Sequence, residues 1–141
     1  MADAQVKEPI SYGFGKKVSL PYAEAVEATR VALKEQGFGV LTEIDIKQTM
    51  KEKRGIDFRP YIILGACNPP LAEKALGAEL DIGLLLPCNV VIYAGANDEG
   101  GSVVKAMDPE VALGIVDNVE LAKVALEAKS RLQKALQSLP G

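Results

Sequence analysis

Between Leu121 and Leu139, the apolar residues Leu121, Ala125, Ala128, Leu132, Ala135, Leu136 and Leu139 recur at the 3.6-residue period of an amphipathic helix. A helix with one dry face must lay that face on something, and the rest of the chain offers strands. Tyr12, Phe14, Val18 and Leu20 alternate with Gly13, Gly15, Lys17 and Ser19, which predicts a half-buried strand with Lys16 the exception on its apolar face. Phe38, Val40, Thr42, Ile44 and Ile46 alternate in the same way with Gly39, Leu41, Glu43 and Asp45. Tyr61 to Ala66 is apolar on both faces, the pattern of a strand covered on both sides. Two more strands, Cys88 to Ala94 and Ser102 to Met107, flank a loop from Gly95 to Gly101. That loop is rich in turn residues and lacks any phosphate-binding spacing, so it reads as a hairpin connection.

Helix signals fill the gaps. Pro21 suits a first helical turn, Glu24 complements its dipole, Val26, Thr29 and Leu33 form the inner stripe, and Gly37 ends it. Residues 47 to 55 are charged and read as a short helix or a long hairpin connection. Asn68 and Pro69 make an N-cap and first-turn pair opening a helix through Leu71, Ala72, Ala75 and Leu76. Asp108-Pro109 opens a short helical segment ending near Gly114, and Asp117 with Glu120 reads as the capping box of the long helix. The order is strand, helix, strand, strand, helix, strand, strand, helix. It predicts an α+β fold: an antiparallel sheet of about five strands with helices mainly on one face. Residues 1–10 read as a flexible tail and 11–141 as one domain, the size expected of 141 residues.

Composition narrows the function classes. A net charge of −3 with mixed signs argues against nucleic acid, which demands a concentrated basic surface. The densest basic run, Lys51 to Arg54, is bracketed by Glu43, Asp45 and Asp57 and reads as a solvated face. The start of the chain has no secretory pattern, and the longest apolar stretch, Ile82 to Ala96, is broken by Pro87 and falls short of the ~20 residues of a membrane helix. A cytoplasmic protein without a membrane span is expected, its two cysteines held as thiols. There is no histidine, so no imidazole base and no imidazole metal ligand. Two cysteines outside a CxxC spacing are too few for a thiolate zinc site. No metal and no cofactor are expected, and Met107, at a strand end, reads as core.

One constellation remains. Leu64-Gly-Ala-Cys67-Asn68-Pro69-Pro70 and Leu84-Leu-Leu-Pro87-Cys88-Asn89 each set a Cys-Asn pair at the edge of an apolar run. If the two strands are antiparallel neighbours, the end of the first lies level with the start of the second, bringing the thiols to one end of the sheet. Cys67 also lies beside a helix N-terminus, where thiolate is favoured. Cys67, Asn68, Cys88 and Asn89 are therefore the candidate ligand-binding or thiol site. The competing reading is that both cysteines are small core hydrophobes, with Asn68 a cap and Asn89 a backbone-bonding residue.

The runs GACNPPLAEKAL and LLLPCNVVIY, with GFGVLTEIDI upstream and MDPE downstream, resemble the domain of unknown function 302 family over nearly the whole chain, from about Ser11. The resemblance implies a compact α+β fold similar to the TATA-binding-protein arrangement, a curved antiparallel sheet gripping a helix, and a homodimer. It brings no activity, substrate or cofactor. Three functional classes follow. The leading one is a non-enzymatic binding or accessory domain with a small ligand or soft metal near the cysteines. The second is a thiol enzyme or redox protein with Cys67 as nucleophile and Cys88 as resolving thiol. The third is a purely structural dimer.

Overall fold

A computed structural model describes residues 9–95 and 100–141. Five strands, β1 (Gly13–Val18), β2 (Gly39–Asp45), β3 (Tyr61–Cys67), β4 (Cys88–Ala94) and β5 (Ser102–Met107), form one antiparallel sheet in the order β1-β5-β4-β3-β2. Five helices accompany them: α1 (Tyr22–Glu35), α2 (Ile46–Arg54), α3 (Pro69–Ala78), α4 (Pro109–Leu113) and α5 (Val119–Gln137). The α+β class and the five-stranded antiparallel sheet predicted from the alternation are observed. The proposed tail falls largely on residues 1–8, outside the described residues, as do 96–99 of the hairpin loop.

The sheet carries its helices where the periodicity put them. Helix α1 packs on β2, β4 and β5, and α5 packs on β1 and β5. Their stripes (Ala25, Val26, Thr29 and Leu33 of α1; Leu132, Ala135 and Leu136 of α5) meet Leu64, Ala66, Val90, Ile92, Val104 and Ala106 of the sheet. Thr29 is fully buried because its hydroxyl donates to the Ala25 carbonyl at 2.7 Å, so no polar atom is stranded. A second cluster, from Ala75, Ile82, Leu113, Leu121, Val124 and Ala125, joins α3, α4 and the first half of α5 through a 3₁₀ turn at Leu80–Leu85.

Lys16 faces the core side, as the alternation predicts. Its ammonium donates to the Leu139 carbonyl and, at 3.3 Å, to that of Gln137. It thus satisfies carbonyls that the end of α5 leaves without helical partners. The polar exception in β1 is a tie from the edge strand to the covering helix.

Three details depart from the sequence reading. Helix α1 begins at Tyr22 with Pro21 as its N-cap, one residue later than expected. The N-cap of α5 is Asn118, whose Oδ1 accepts from Leu121 N–H at 3.1 Å, while Asp117 stays outside. The Asn118 amide also donates to the Ala78 carbonyl and to Glu79, ties that Asp117 cannot make. Third, the alternation of β2 is interrupted by a register shift between Val40 and Thr42, leaving Leu41 69% exposed. Ile46, read as the strand's last inward residue, instead opens α2, because the Asp45 carboxylate accepts from Gln48 N–H at 2.9 Å. The basic run lies on α2, where Lys51 pairs with Asp57. The doubly apolar pattern of Tyr61–Ala66 agrees with burial on both faces, Leu64, Gly65 and Ala66 being buried and Tyr61, Ile62 and Ile63 half-buried, with α2 against β3.

Candidate functional site

The register gives the positions of the two Cys-Asn motifs. Ala66 pairs with Cys88 and Gly65 with Asn89, so the motifs lie side by side at one end of the sheet. The pleat then separates them. Cys88 shares the helix-covered face with Ala66 and is 8% exposed among the core residues. Cys67, next to Ala66, points to the opposite face and is half-buried; both thiols are free. Cysteines whose side chains leave opposite faces of a sheet cannot close a disulfide without moving backbone. Burial, with a smaller contribution from nearby Cys67, pushes the Cys88 thiol up to about 11, so it holds little thiolate at neutral pH. Both effects weigh against Cys88 as a resolving thiol.

The asparagines separate too. Asn68 is 7% exposed; its Oδ1 accepts from Leu71 N–H at 3.3 Å and its amide donates to the Gln36 carbonyl at 3.5 Å. It caps α3 and ties it to the end of α1, where left-handed Gly37 (φ +84°) comes so close that a Cβ would lie 2.9 Å from the Asn68 amide. Asn89 is exposed on the opposite face, beside a cleft.

That cleft was not anticipated. On the sheet face turned away from α1 and α5, the pairing sets side chains in cross-strand rows. One row runs Gly15, Lys105, Val91, Ile63, Ile44; a second runs Lys17, Val103, Tyr93, Tyr61; a third begins with Gly13, Met107, Asn89. Over Tyr61, Tyr93, Val91, Lys105, Met107 and Asn89 of these rows, closed by Ile10, Tyr12, Phe58 and Arg59, lies a cleft of about 470 Å³. That volume falls in the range typical of small-molecule sites.

The walls are aromatic. Tyr61 and Tyr93 are cross-strand partners and stack with centroids 5.2 Å apart and planes 7° from parallel. Phe58 meets Tyr61 edge-on at 6.2 Å. Arg59 holds its guanidinium 5.7 Å above the Tyr93 ring and donates to the Ala94 carbonyl at 3.3 Å. Burial raises the Tyr61 phenol, with Tyr12 adding a smaller push in the same direction.

Lys105 lies in the floor. It is only 9% exposed, in a central strand, between Gly15 of β1 and Val91 of β4. Gly15 makes that possible: a Cβ there would collide with the Val104 carbonyl and lie 2.7 Å from Lys105 Cγ. The signals for this site were in the sequence: a lysine inside the apolar run Ser102–Met107, two glycines at alternate positions of β1, and strands apolar on both faces. Only the strand order brings them together.

Among the described residues, no three or more His, Cys, Asp and Glu groups come together as a metal site. None of the described helices is long and apolar enough to cross a membrane.

Comparison with known proteins gives a consistent picture. A family model described as a domain of unknown function, DUF302, matches residues 14–139. The crystal structure of an uncharacterized conserved DUF302 protein from Bacillus stearothermophilus is similar, with a TM-score of 0.81 and 30% identity, covering 91% of this chain and 98% of that one. No curated protein matches.

Proposed function

Because the chain belongs to the DUF302 family, whose function is unassigned, we propose from its own geometry that it is a non-enzymatic binding or accessory domain with a small ligand in the sheet-face cleft. The observation that carries this reading is the cleft itself, about 470 Å³ on the sheet face, with Tyr61 and Tyr93 stacked and Phe58 edge-on in its wall. A concave site of that size, mainly apolar and aromatic with a few polar groups such as Asn89, is the usual make-up of a small-ligand site. Asn89 belongs to this site and Cys67 shares its face, whereas Asn68 and Cys88 support the fold behind it. The reading therefore keeps one end of the Cys-Asn constellation as the rim of the site and assigns the rest to packing.

Tyrosine emission tests it directly. The chain has no tryptophan and four tyrosines, of which Tyr12, Tyr61 and Tyr93 line the cleft. Native mass spectrometry of protein purified without denaturation should reveal a bound small molecule. Its removal and return should change tyrosine emission. A ligand-free mass, with emission indifferent to any small molecule added, would remove the reading.

We further propose a cytoplasmic homodimer, the state the family resemblance suggests. Val111, Ile115, Val119 and Leu126 expose between 47% and 75% of their surface along α4 and α5. This apolar patch is suited to a second copy of the chain. Val119→Glu should then yield monomers by light scattering, and a wild-type protein that is itself monomeric at ~100 μM, far above a ~1 μM dissociation constant, would count decisively against the dimer.

A further inference from the structure

Resting on the cleft reading, we infer that the ligand is a flat, uncharged aromatic molecule with a neutral hydrogen-bonding group, its ring against Phe58, Tyr61 and Tyr93 and its polar group at Asn89. The distribution of aromatic side chains points to it. The chain has four tyrosines, three phenylalanines and no tryptophan. Phe38 is in the core under α1 and α5, and Phe14 and Tyr22 pack against that core, which is otherwise almost wholly aliphatic. The other four, Tyr12, Phe58, Tyr61 and Tyr93, line the cleft, where none is fully buried and Tyr12 is 66% exposed. Folding draws little on side chains left so open, and their concentration at one concave site is a feature of recognition.

The arrangement of the rings specifies what they recognise. Tyr61 and Tyr93 cover one face of each other, Arg59 sits over Tyr93, and Phe58 and Tyr61 meet edge-on. Much of the surface this stack offers a ligand is therefore ring edge. Aromatic edges carry the positive part of the ring quadrupole and pack best on the face of another π system. A planar aromatic body is thus favoured over a saturated one of the same size. Met107 adds a polarizable thioether suited to aromatic partners, and Val91 and Ile10 add apolar contact. Charge does not enter the selection. The described lining has no acidic side chain, and its two cations, Lys105 and Arg59, already have partners within the protein. An ionised ligand would give up hydration there without gaining an ion pair. The exposed Asn89 amide, which both donates and accepts, suits a hydroxyl, carbonyl or amide instead.

The experiment titrates probes of one carbon skeleton into the full chain by calorimetry: 2-naphthalenemethanol, its saturated decahydro counterpart and 2-naphthoate. The flat alcohol should bind about 10-fold tighter than the saturated one, the size of one or two aromatic contacts, and the naphthoate no tighter than the flat alcohol. Phe58→Leu should abolish the preference for the flat probe while keeping affinity for the saturated alcohol. Asn89→Ala, at an exposed position, should weaken both alcohols alike by about 2- to 10-fold, the contribution of one hydrogen bond. Should Phe58→Leu fail to fold, the wild-type preference and Asn89→Ala carry the test. Equal affinity for the flat and saturated alcohols overturns the aromatic assignment and leaves the cleft standing as a site for aliphatic ligands. A tighter naphthoate overturns the uncharged assignment. Binding of neither alcohol overturns the inference, and only together with a ligand-free native mass does it also remove the cleft reading.

Discussion

Val90 and Val91 are neighbours on one strand, yet they belong to different chemistries. Val90, with Leu64, Ile92 and Val104, is sealed to 0% exposure under α1 and α5. Val91 looks the other way, in a row with Lys105, toward a cleft walled by aromatic rings. Strands apolar on both faces are ordinarily sandwiched between layers. On the proposed reading, one face serves folding and the other binding. A mutation should reveal which face it touches by what it damages, stability on one side and recognition on the other.

The largest difference should come from matched truncations. Leu132→Ala empties a fully buried position under the sheet and should cost about 2–5 kcal/mol in denaturant unfolding. Val91→Ala on the outward face should cost well below that and weaken ligand binding instead. Equal losses of stability would break the comparison.

The next effect depends on pH. Cys88 lies on the sealed face with its thiol raised from 9.0 to about 11, so the fold holds its proton more tightly than the unfolded chain does. Its contribution is fully present below about pH 9 and is lost as pH rises through about 11. Two pKa units correspond to about 2–3 kcal/mol at most. Tyr22, raised to about 12 by burial and then by Asp45, acts in the same direction at still higher pH. Cys88→Ala should flatten the stability profile between pH 9 and 11 but leave the later decline. Thiol labelling sharpens the same point: Cys67 should react well before Cys88 near neutral pH, and fast labelling of Cys88 would contradict its burial.

Smaller still is the tie between the faces' shared edge and the covering helix. Lys16→Met removes the donor to the Leu139 and Gln137 carbonyls and should cost about 1 kcal/mol by thermal unfolding. A loss confined to fraying at the end of α5, seen by amide exchange, is the signature expected.

Much of this fold was legible in the sequence because its signals are local. Period-two alternation marks β1 and much of β2, the turn-rich loop marks β4 and β5 on either side of it, the stripe from Leu121 marks α5, and Asn68, Asp108 and Gly37 mark helix ends as their side chains or backbone freedom require. What escaped depends on competition or on distance. Asp45 could continue a strand or cap a helix, and capping won, cutting β2 short of Ile46. Asn118 displaced Asp117 as a cap because its amide also reaches Ala78 and Glu79, residues of a helix end far away in the chain. The 3₁₀ turn at Leu80–Leu85 is too short to carry a period. The Cys-Asn motifs were correctly brought to one end of the sheet, but the pleat that divides their side chains follows from the strand register, which single residues do not announce. The cleft is the extreme case. Tyr61 and Tyr93, Gly15 and Lys105 become neighbours only when the order β1-β5-β4-β3-β2 is known.

The central claim is that the face away from α1 and α5 is the binding face, and methyl-resolved NMR can address its two sides separately on the same strands. When the small molecule that co-purifies with the protein is returned to ligand-free protein, the methyl groups of Val91 and Met107 should shift, while those of Val90 and Ile92 on the opposite face of the sheet stay fixed. Shifts centred on Val90 and Ile92, or confined to residues of α3 and α5, would contradict the account.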